Sequence, residues 1–243
     1  MGKIFAVTSG KGGVGKSTVS TALSLSFAEQ NQKVLLVDMD EGLACLDLML
    51  GIDEPCIFNL SDILLGKDIN DCIYQPKNQP NIHLISAPDK VGQIDAFRFT
   101  NFVSQIRESY DIIIFDFPAG IDFSLYSCLP KDTLFIAVAF PDPVTVRDAS
   151  AVSRKLYDLG YKARLIINNF DYKLIKNRTF KNIDDIIDES AIQLLGIIPH
   201  SQELQLLSVN HKLKKRGTVK KAFDRISKRL VGENILLPNL KKI

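Results

Sequence analysis

Apolar positions along the chain follow two alternating patterns. Short, nearly unbroken apolar runs rich in Ile, Val and Leu occur at Ile4–Thr8, Lys33–Asp38, Ile82–Ser86, Ile112–Asp116, Thr133–Val138, Ala163–Asn168 and Leu194–Ile198. Such runs predict strands buried on both faces, as in a parallel sheet. Longer amphipathic stretches lie between them: Lys16–Glu29, Ile94–Glu108, Pro143–Leu159, Ile183–Ser190 and Ser201–Asn210. These predict helices. The repeated β-then-α order predicts an α/β fold, a mostly parallel central sheet with helices on both faces and right-handed crossovers. Residues 59–80 read as short helices and loops without a clear order. No Gly-, Ser- or Pro-rich linker and no internal repeat divides the chain, so a single domain is expected.

The last amphipathic stretch leaves two fates open. Val219, Ala222, Phe223, Ile226 and Leu230 recur at spacings of three and four, with Lys220, Lys221, Arg225, Lys228 and Arg229 on the other faces. Such a helix can lie on anionic lipid or pack its apolar stripe on the sheet. The tail after it carries Ile235, Leu236, Leu237, Leu240 and Ile243, and is broken by Pro238.

Length and composition narrow the class. A chain of 243 residues, 46% apolar and 24% charged, can bury a real core and lies outside the disordered and collagen-like ranges. Its apolar runs are too short to span a bilayer, and no charged-then-apolar leader precedes the first strand, so a cytoplasmic protein is expected. Cys45, Cys56, Cys72 and Cys128 form no CxxC pair and read as free thiols. His83, His200 and His211 show no zinc-like spacing. The net charge of +2 hides an asymmetry. Residues 211–243 hold 11 basic and 2 acidic residues, while the preceding 210 are net acidic. The basic end is either a solvated face or a contact for an anionic partner such as membrane or nucleic acid.

The chemistry begins after the first strand. Gly10-Lys11-Gly12-Gly13-Val14-Gly15-Lys16-Ser17 reads G-x-x-x-x-G-K-S, between a strand and a helix. Glycines there let backbone N–H groups turn toward phosphate oxygens, and the helix points its positive end at the same anion. Lys16 is placed to neutralise β- and γ-phosphates, Ser17 to ligate Mg²⁺ and Thr18 to donate to the α-phosphate. Asp38 and Asp40 end the second strand, where alternate residues point the same way. Ile112–Asp116 is an apolar strand ending in one acid, suited to holding the metal.

The second lysine, Lys11, has no evident purpose within one loop. Lys11-Gly12-Gly13-Val14-Gly15-Lys16-Ser17-Thr18 resembles the deviant Walker A motif of the MinD/ParA family of P-loop ATPases, and more of the chain follows the same pattern. Asp38, Asp40, Gly42, Leu43, Leu46 and Asp47 match its first switch. Asp116-Phe117-Pro118-Ala119-Gly120-Ile121 matches its second. Gly196-Ile197-Ile198-Pro199 matches the segment that lines the base, and Pro141–Asp148 a partner-facing segment. The likeness is closest to the MinD-like, septum site-determining members and spans residues 3–233, leaving 234–243 as a short tail.

The resemblance implies a Mg²⁺-dependent ATP hydrolase of weak basal activity that dimerises on ATP and acts in spatial positioning. Lys11 would reach the partner's phosphates, Asp38 would stand near the metal and Asp40 would position the attacking water. Gly120 would turn its N–H to the γ-phosphate, while Asn168 and Pro199 would hold the adenine. A protein activator would meet the second switch and residues 143–159. Ala44-Cys45 replaces the Arg-Asn common in MinD-like members. The usual membrane helix after the last core helix is expected to be missing or shortened, leaving at most a weak contact with the inner face of the membrane. The alternatives are a ParA-like, DNA-associated partitioning ATPase and a flagellar-number regulator, whose usual N-terminal segment is not expected here. Less favoured is a metabolic or iron–sulfur P-loop enzyme, for which only Cys128 lies near the second switch.

Overall fold

The computed structural model describes residues 1–120, 124–172, 180 and 182–239. Ile121 at the end of the second switch string, and Leu240 and Ile243 of the tail, lie outside the described residues. Seven strands form: β1 (Lys3–Thr8), β2 (Val34–Asp38), β3 (Ile82–Ile85), β4 (Ile112–Asp116), β5 (Leu134–Ala139), β6 (Lys162–Phe170) and β7 (Leu194–Pro199). They make one sheet in the order β3-β2-β4-β1-β5-β6-β7, and every strand pair is parallel. The helices that matter to the site are α1 (Lys16–Ala28), α2 (Leu46–Leu50), α3 (Leu60–Leu64), α4 (Ala96–Ile106) and α5 (Pro143–Asp158). A helix at Ile183–Ser190 and a final helix at Thr218–Leu230 complete the layers.

Alternation along each strand divides the core into two faces. Phe5, Val7, Leu36, Ile114 and Val138 pack toward α1 and the final helix. Ile4, Ala6, Leu35, Ile113 and Phe115 pack toward Phe99, Phe102 and Val103 of α4 and Val152 and Leu156 of α5. Because both faces are covered, the strands read as continuous apolar runs rather than alternating ones.

The final helix belongs to the core. Val219, Phe223, Ile226 and Leu230 are buried in the layer that also holds α1. Gly196 on β7 makes room for it: a Cβ there would meet Ile226 Cγ1 at 2.4 Å. The apolar stripe is therefore consumed by the sheet and cannot also be buried in lipid.

One local expectation is corrected, and one open stretch takes form. The segment 201–210 is two short helices, Gln202–Gln205 and Leu207–Asn210, not one. Leu206 (φ −96°, ψ 13°) leaves helical geometry between the buried anchors Leu204 and Leu207, while Leu206 and Val209 stay exposed, so no single apolar stripe runs through it. The unordered stretch 59–80 holds α3, whose Asn59 and Asp62 form a reciprocal capping box, and an antiparallel bridge from Tyr74 to Leu84 of β3. Asp111, exposed at the bend before β4, accepts the Lys33 N–H at 2.8 Å. Asp122 lies outside the described residues.

Candidate nucleotide site

Strand order brings the predicted residues together. β2, β4 and β1 are neighbours, with Asp38 level with Asp116 and Asp116 level with Val7, so two acids and the glycine loop share the C-terminal edge of the sheet. That edge, where the chain crosses to opposite sides of β1, is where open α/β sheets bind ligands.

The loop's shape follows from its glycines. Gly13 (φ 79°) and Gly15 (φ 88°) take left-handed conformations. Gly10 has no space for a side chain, since a Cβ would stand 2.6 Å from Asp148 Cβ of α5. Asp148 is thus packed on the loop, while its neighbour Arg147 is exposed. Three other long helices are capped by side chains, α4 by Asp95, α5 by Asp142 and the 183–190 helix by Asn182. α1 starts from Gly15 with no side-chain cap and no acid in its first turn. Its first N–H groups therefore face the loop unneutralised, an arrangement suited to a phosphate. The two loop lysines part ways: Lys16 is 8% exposed, whereas Lys11 lies exposed at the loop surface.

The acids form a tight group. Asp38 and Asp116 are each 1% exposed. Asp38 Oδ1 accepts the Asp40 N–H at 3.0 Å, and its Oδ2 accepts those of Cys45 at 3.2 Å and Leu46 at 3.4 Å. Asp116 accepts hydrogen bonds from Ser17 and from the Ser20 hydroxyl, the latter at 2.7 Å. Burial pushes Asp38 up to about 7 against those N–H donors, and nearby Asp116 adds to the rise. Burial also pushes Asp116 up to about 6, against the two serines and Lys16. Asp40 is raised by burial, and the charge of Lys16 works against the rise. Burial and then Asp38 push the Cys45 thiol up to about 11, so it stays protonated. Buried acids with raised proton affinity are relieved by a proton or by a cation, and Ser17, Asp38 and Asp116 offer hard oxygen donors of the kind that suit Mg²⁺.

A cleft of about 190 Å³ adjoins the loop, lined by Gly15, Thr18, Phe140, Asn168, Pro199 and Leu204 among others. Asn168 is buried and donates Nδ2–H to the Val14 carbonyl at 2.9 Å, bracing the loop. Its amide has a carbonyl oxygen and a second N–H besides. A larger cleft, about 530 Å³, lies around Gly2, Lys33, Tyr110 and Val231 at the other end of the strands and holds none of the predicted site residues. The second switch is tied to the loop, with Phe117 N–H on Val7 O at 3.0 Å and Gly120 N–H on Ser9 O at 3.1 Å. The Gly120 N–H is thus already engaged within the protein.

Sequence reasoning missed Phe140, Ser20 and the helix α2. Phe140 directly follows β5 at the ligand edge of the sheet, which was a usable signal. Ser20 lies one turn beyond Ser17 on a helix that also buries Thr21, Ser24 and Ser26, a weaker one. The four cysteines are free thiols. Among the described residues no cluster of three or more His, Cys, Asp or Glu could hold a metal. None of their helices is long and apolar enough to cross a membrane.

Comparison with known proteins agrees with this geometry. Residues 2–141 match a family described as AAA domain. The chain is 33% identical to the septum site-determining protein MinD of Synechocystis sp., over 97% of its own length and 91% of that protein's. It superimposes on MinD of the Aquifex aeolicus MinC:MinD cell division complex with a TM-score of 0.87 at 27% identity, covering 98% of this chain and 99% of that one. With the Mg-ADP complex of MinD from Pyrococcus horikoshii the TM-score is 0.82 at 25% identity, covering 96% and 97%. A parallel seven-stranded sheet, a two-lysine phosphate loop and whole-length likeness to septum site-determining proteins place this chain in the MinD/ParA family of deviant Walker A P-loop ATPases, on its MinD-like side.

Proposed function

We propose that the chain is a Mg²⁺-dependent ATP hydrolase that works as an ATP-driven dimerisation switch for spatial positioning, such as selection of a division site. The observation that carries this is the opposite exposure of the two loop lysines. Lys16 is buried where it meets the phosphates of its own nucleotide. Lys11 is free to meet those of a second copy.

In the reaction, water attacks the γ-phosphorus, the bond to the β-phosphate oxygen breaks, and ADP and phosphate leave. Asp40 orients the water, and Lys16 with the α1 N-terminus stabilises charge on the phosphates. Ser17, Asp38 and Asp116 hold Mg²⁺, which when bound neutralises phosphate charge. Asn168, Phe140 and Pro199 take the adenine, and Thr18 the α-phosphate. Basal turnover is weak and rises with a protein partner on the second switch and residues 143–159. Two features support that face. Asp148 packs on Gly10, joining α5 to the phosphate loop, and a relative forms a complex with MinC. The tail supplies a weak contact with anionic membrane.

Light scattering tests the switch. ATP with Mg²⁺ converts monomer to dimer, most clearly in Asp40→Ala, which stalls turnover. Lys11→Ala abolishes that dimer and keeps nucleotide binding within a few-fold. A Lys11→Ala protein that dimerises normally refutes the role of Lys11.

One observation favours a second reading. Lys212, Lys214, Lys215 and Arg216 are all exposed, a compact basic surface that also suits a DNA-associated partitioning ATPase. ATP-dependent DNA binding without liposome binding would select it.

A further inference from the structure

The turn after β2 is held from two sides. Toward the sheet, Met39 N–H donates to Asp116 O at 3.0 Å and Asp40 N–H to Asp38 Oδ1 at 3.0 Å. Toward the loop joining β3 to α4, the Glu41 carboxylate accepts three successive backbone N–H groups. Oε2 takes that of Gly92 at 2.9 Å, and Oε1 takes those of Gln93 at 2.9 Å and Ile94 at 3.1 Å. Gly92 is left-handed (φ 84°), a conformation that glycine adopts without strain as the three donors converge on one anion. Gly42 N–H adds a link to Pro88 O at 2.8 Å, and Leu43 N–H closes the turn on Asp40 O at 3.0 Å. A carboxylate bonded by several N–H groups belongs to the stronger class of hydrogen-bonded contacts. Asp40 thus stands between two anchored neighbours.

We propose that Glu41 is a positioning residue for ATP hydrolysis: by pinning this turn to the amides of residues 92–94, it fixes Asp40 where it orients the attacking water. The inference rests on the reading of Asp40 given above. Small displacements of an orienting group are expensive for a reaction that depends on alignment, about 100-fold for a shift of about 1 Å. Glu41→Gln keeps the side chain's size but removes its charge and turns one acceptor into a donor.

Single-turnover phosphate release from Mg·ATP, with the full chain, tests this. Glu41→Gln is expected to lower the hydrolysis rate about tenfold or more while leaving ATP affinity within about twofold. Hydrogen exchange at the amides of Gly92, Gln93 and Ile94 accelerates in the same variant. In an Asp40→Ala background Glu41→Gln changes the residual rate by less than about twofold, because residues acting as a unit do not add. Gly92→Ala, which strains the same contact from the other side, reproduces the rate loss and serves if Glu41→Gln does not fold. Three results overturn the proposal: a wild-type rate in the variant, an equal loss in both backgrounds, or a loss of affinity as large as the loss of rate. If Asp40→Ala itself hydrolyses ATP at the wild-type rate, the reading of Asp40 has failed and the proposal falls with it. An inactive Asp40→Ala beside a fully active Glu41→Gln removes the proposal alone.

Discussion

Asp40 and Lys16 both stand at the C-terminal edge of the sheet, and the roles proposed for them are separable by substitution. Asp40→Ala should lower hydrolysis at least tenfold with ATP affinity largely kept, since aligning water matters mainly in the transition state. Lys16→Ala should lose both, as it removes a buried counter-charge. Phosphate release and nucleotide titration check this; equal effects of the two variants on affinity refute it. The buried acids give a second test. Asp38 and Asp116 sit at about 7 and about 6, raised mainly by burial, so the folded chain holds protons that the unfolded chain has released. Their contribution to stability is full below the ordinary value of 3.8 and is lost as pH rises through about 6 and 7. Without nucleotide or divalent cation, the melting temperature contribution of these groups falls between pH 3.8 and about 7 and levels off above, and Asp116→Asn flattens the slope. An unchanged slope in that variant refutes the account. Legibility differed among residues for a physical reason. Lys11, Lys16, Asp38 and Asp116 stand beside a strand end or inside a motif, where the chain direction fixes their place. Asn168 could be matched to the base, but not seen to brace Val14, because that bond joins chain positions that meet only through β5 and β6.

At the scale of elements, the unbroken apolar runs located all seven strands, with ends shifted by a few residues, since burial on both faces leaves that signature. The long helices followed from their stripes except α1, expected to be amphipathic but buried on all faces from Val19 to Ala28. What failed were the short pieces. α2 and the split at Leu206 are set by docking onto neighbours, and a few residues carry too little periodicity to show it. The final helix illustrates the remaining difficulty: its stripe suits lipid and sheet equally, and only Gly196 against Ile226 decides between them. Gly196→Ala should therefore destabilise the protein by about 1–3 kcal/mol through overpacking. Denaturant melts check this, and an unchanged midpoint shows that the helix can shift at no cost. The loss should leave ATP affinity intact in the folded protein, because β7 reaches the base cleft through Pro199, three residues further on.

For the whole molecule, sheet order was not written in the periodicity, which gives the elements but not their neighbours. It is the order β2-β4-β1 that sets Asp38 beside Asp116 and both beside the glycine loop. The same scale governs membrane contact. With the final helix spent on the core, Leu236 and Leu237 are the described exposed apolar residues of the tail, at 84% and 42%. Two such tails on one dimer bind at high effective concentration, whereas one binds weakly. Co-sedimentation with anionic liposomes should therefore appear only with ATP, fade with salt and disappear when residues 234–243 are deleted. Binding that survives the deletion moves the contact to the basic surface, and binding in no nucleotide state removes the membrane from the reading.

The hydrogen bond from Gly120 to Ser9 gives the switch a resting position. A bond of this kind contributes about 0.5–1.5 kcal/mol net, a bias of roughly two- to tenfold. If the Gly120 N–H turns to the γ-phosphate, as the family resemblance implies, the terminal phosphate must offer it a better acceptor than Ser9 O. ADP would offer nothing in exchange, so the segment would close back on its own loop once the phosphate had left, whether or not ADP had gone. The lifetime of the active form would then be timed by bond cleavage and phosphate escape, and slow release of ADP would not prolong the signal.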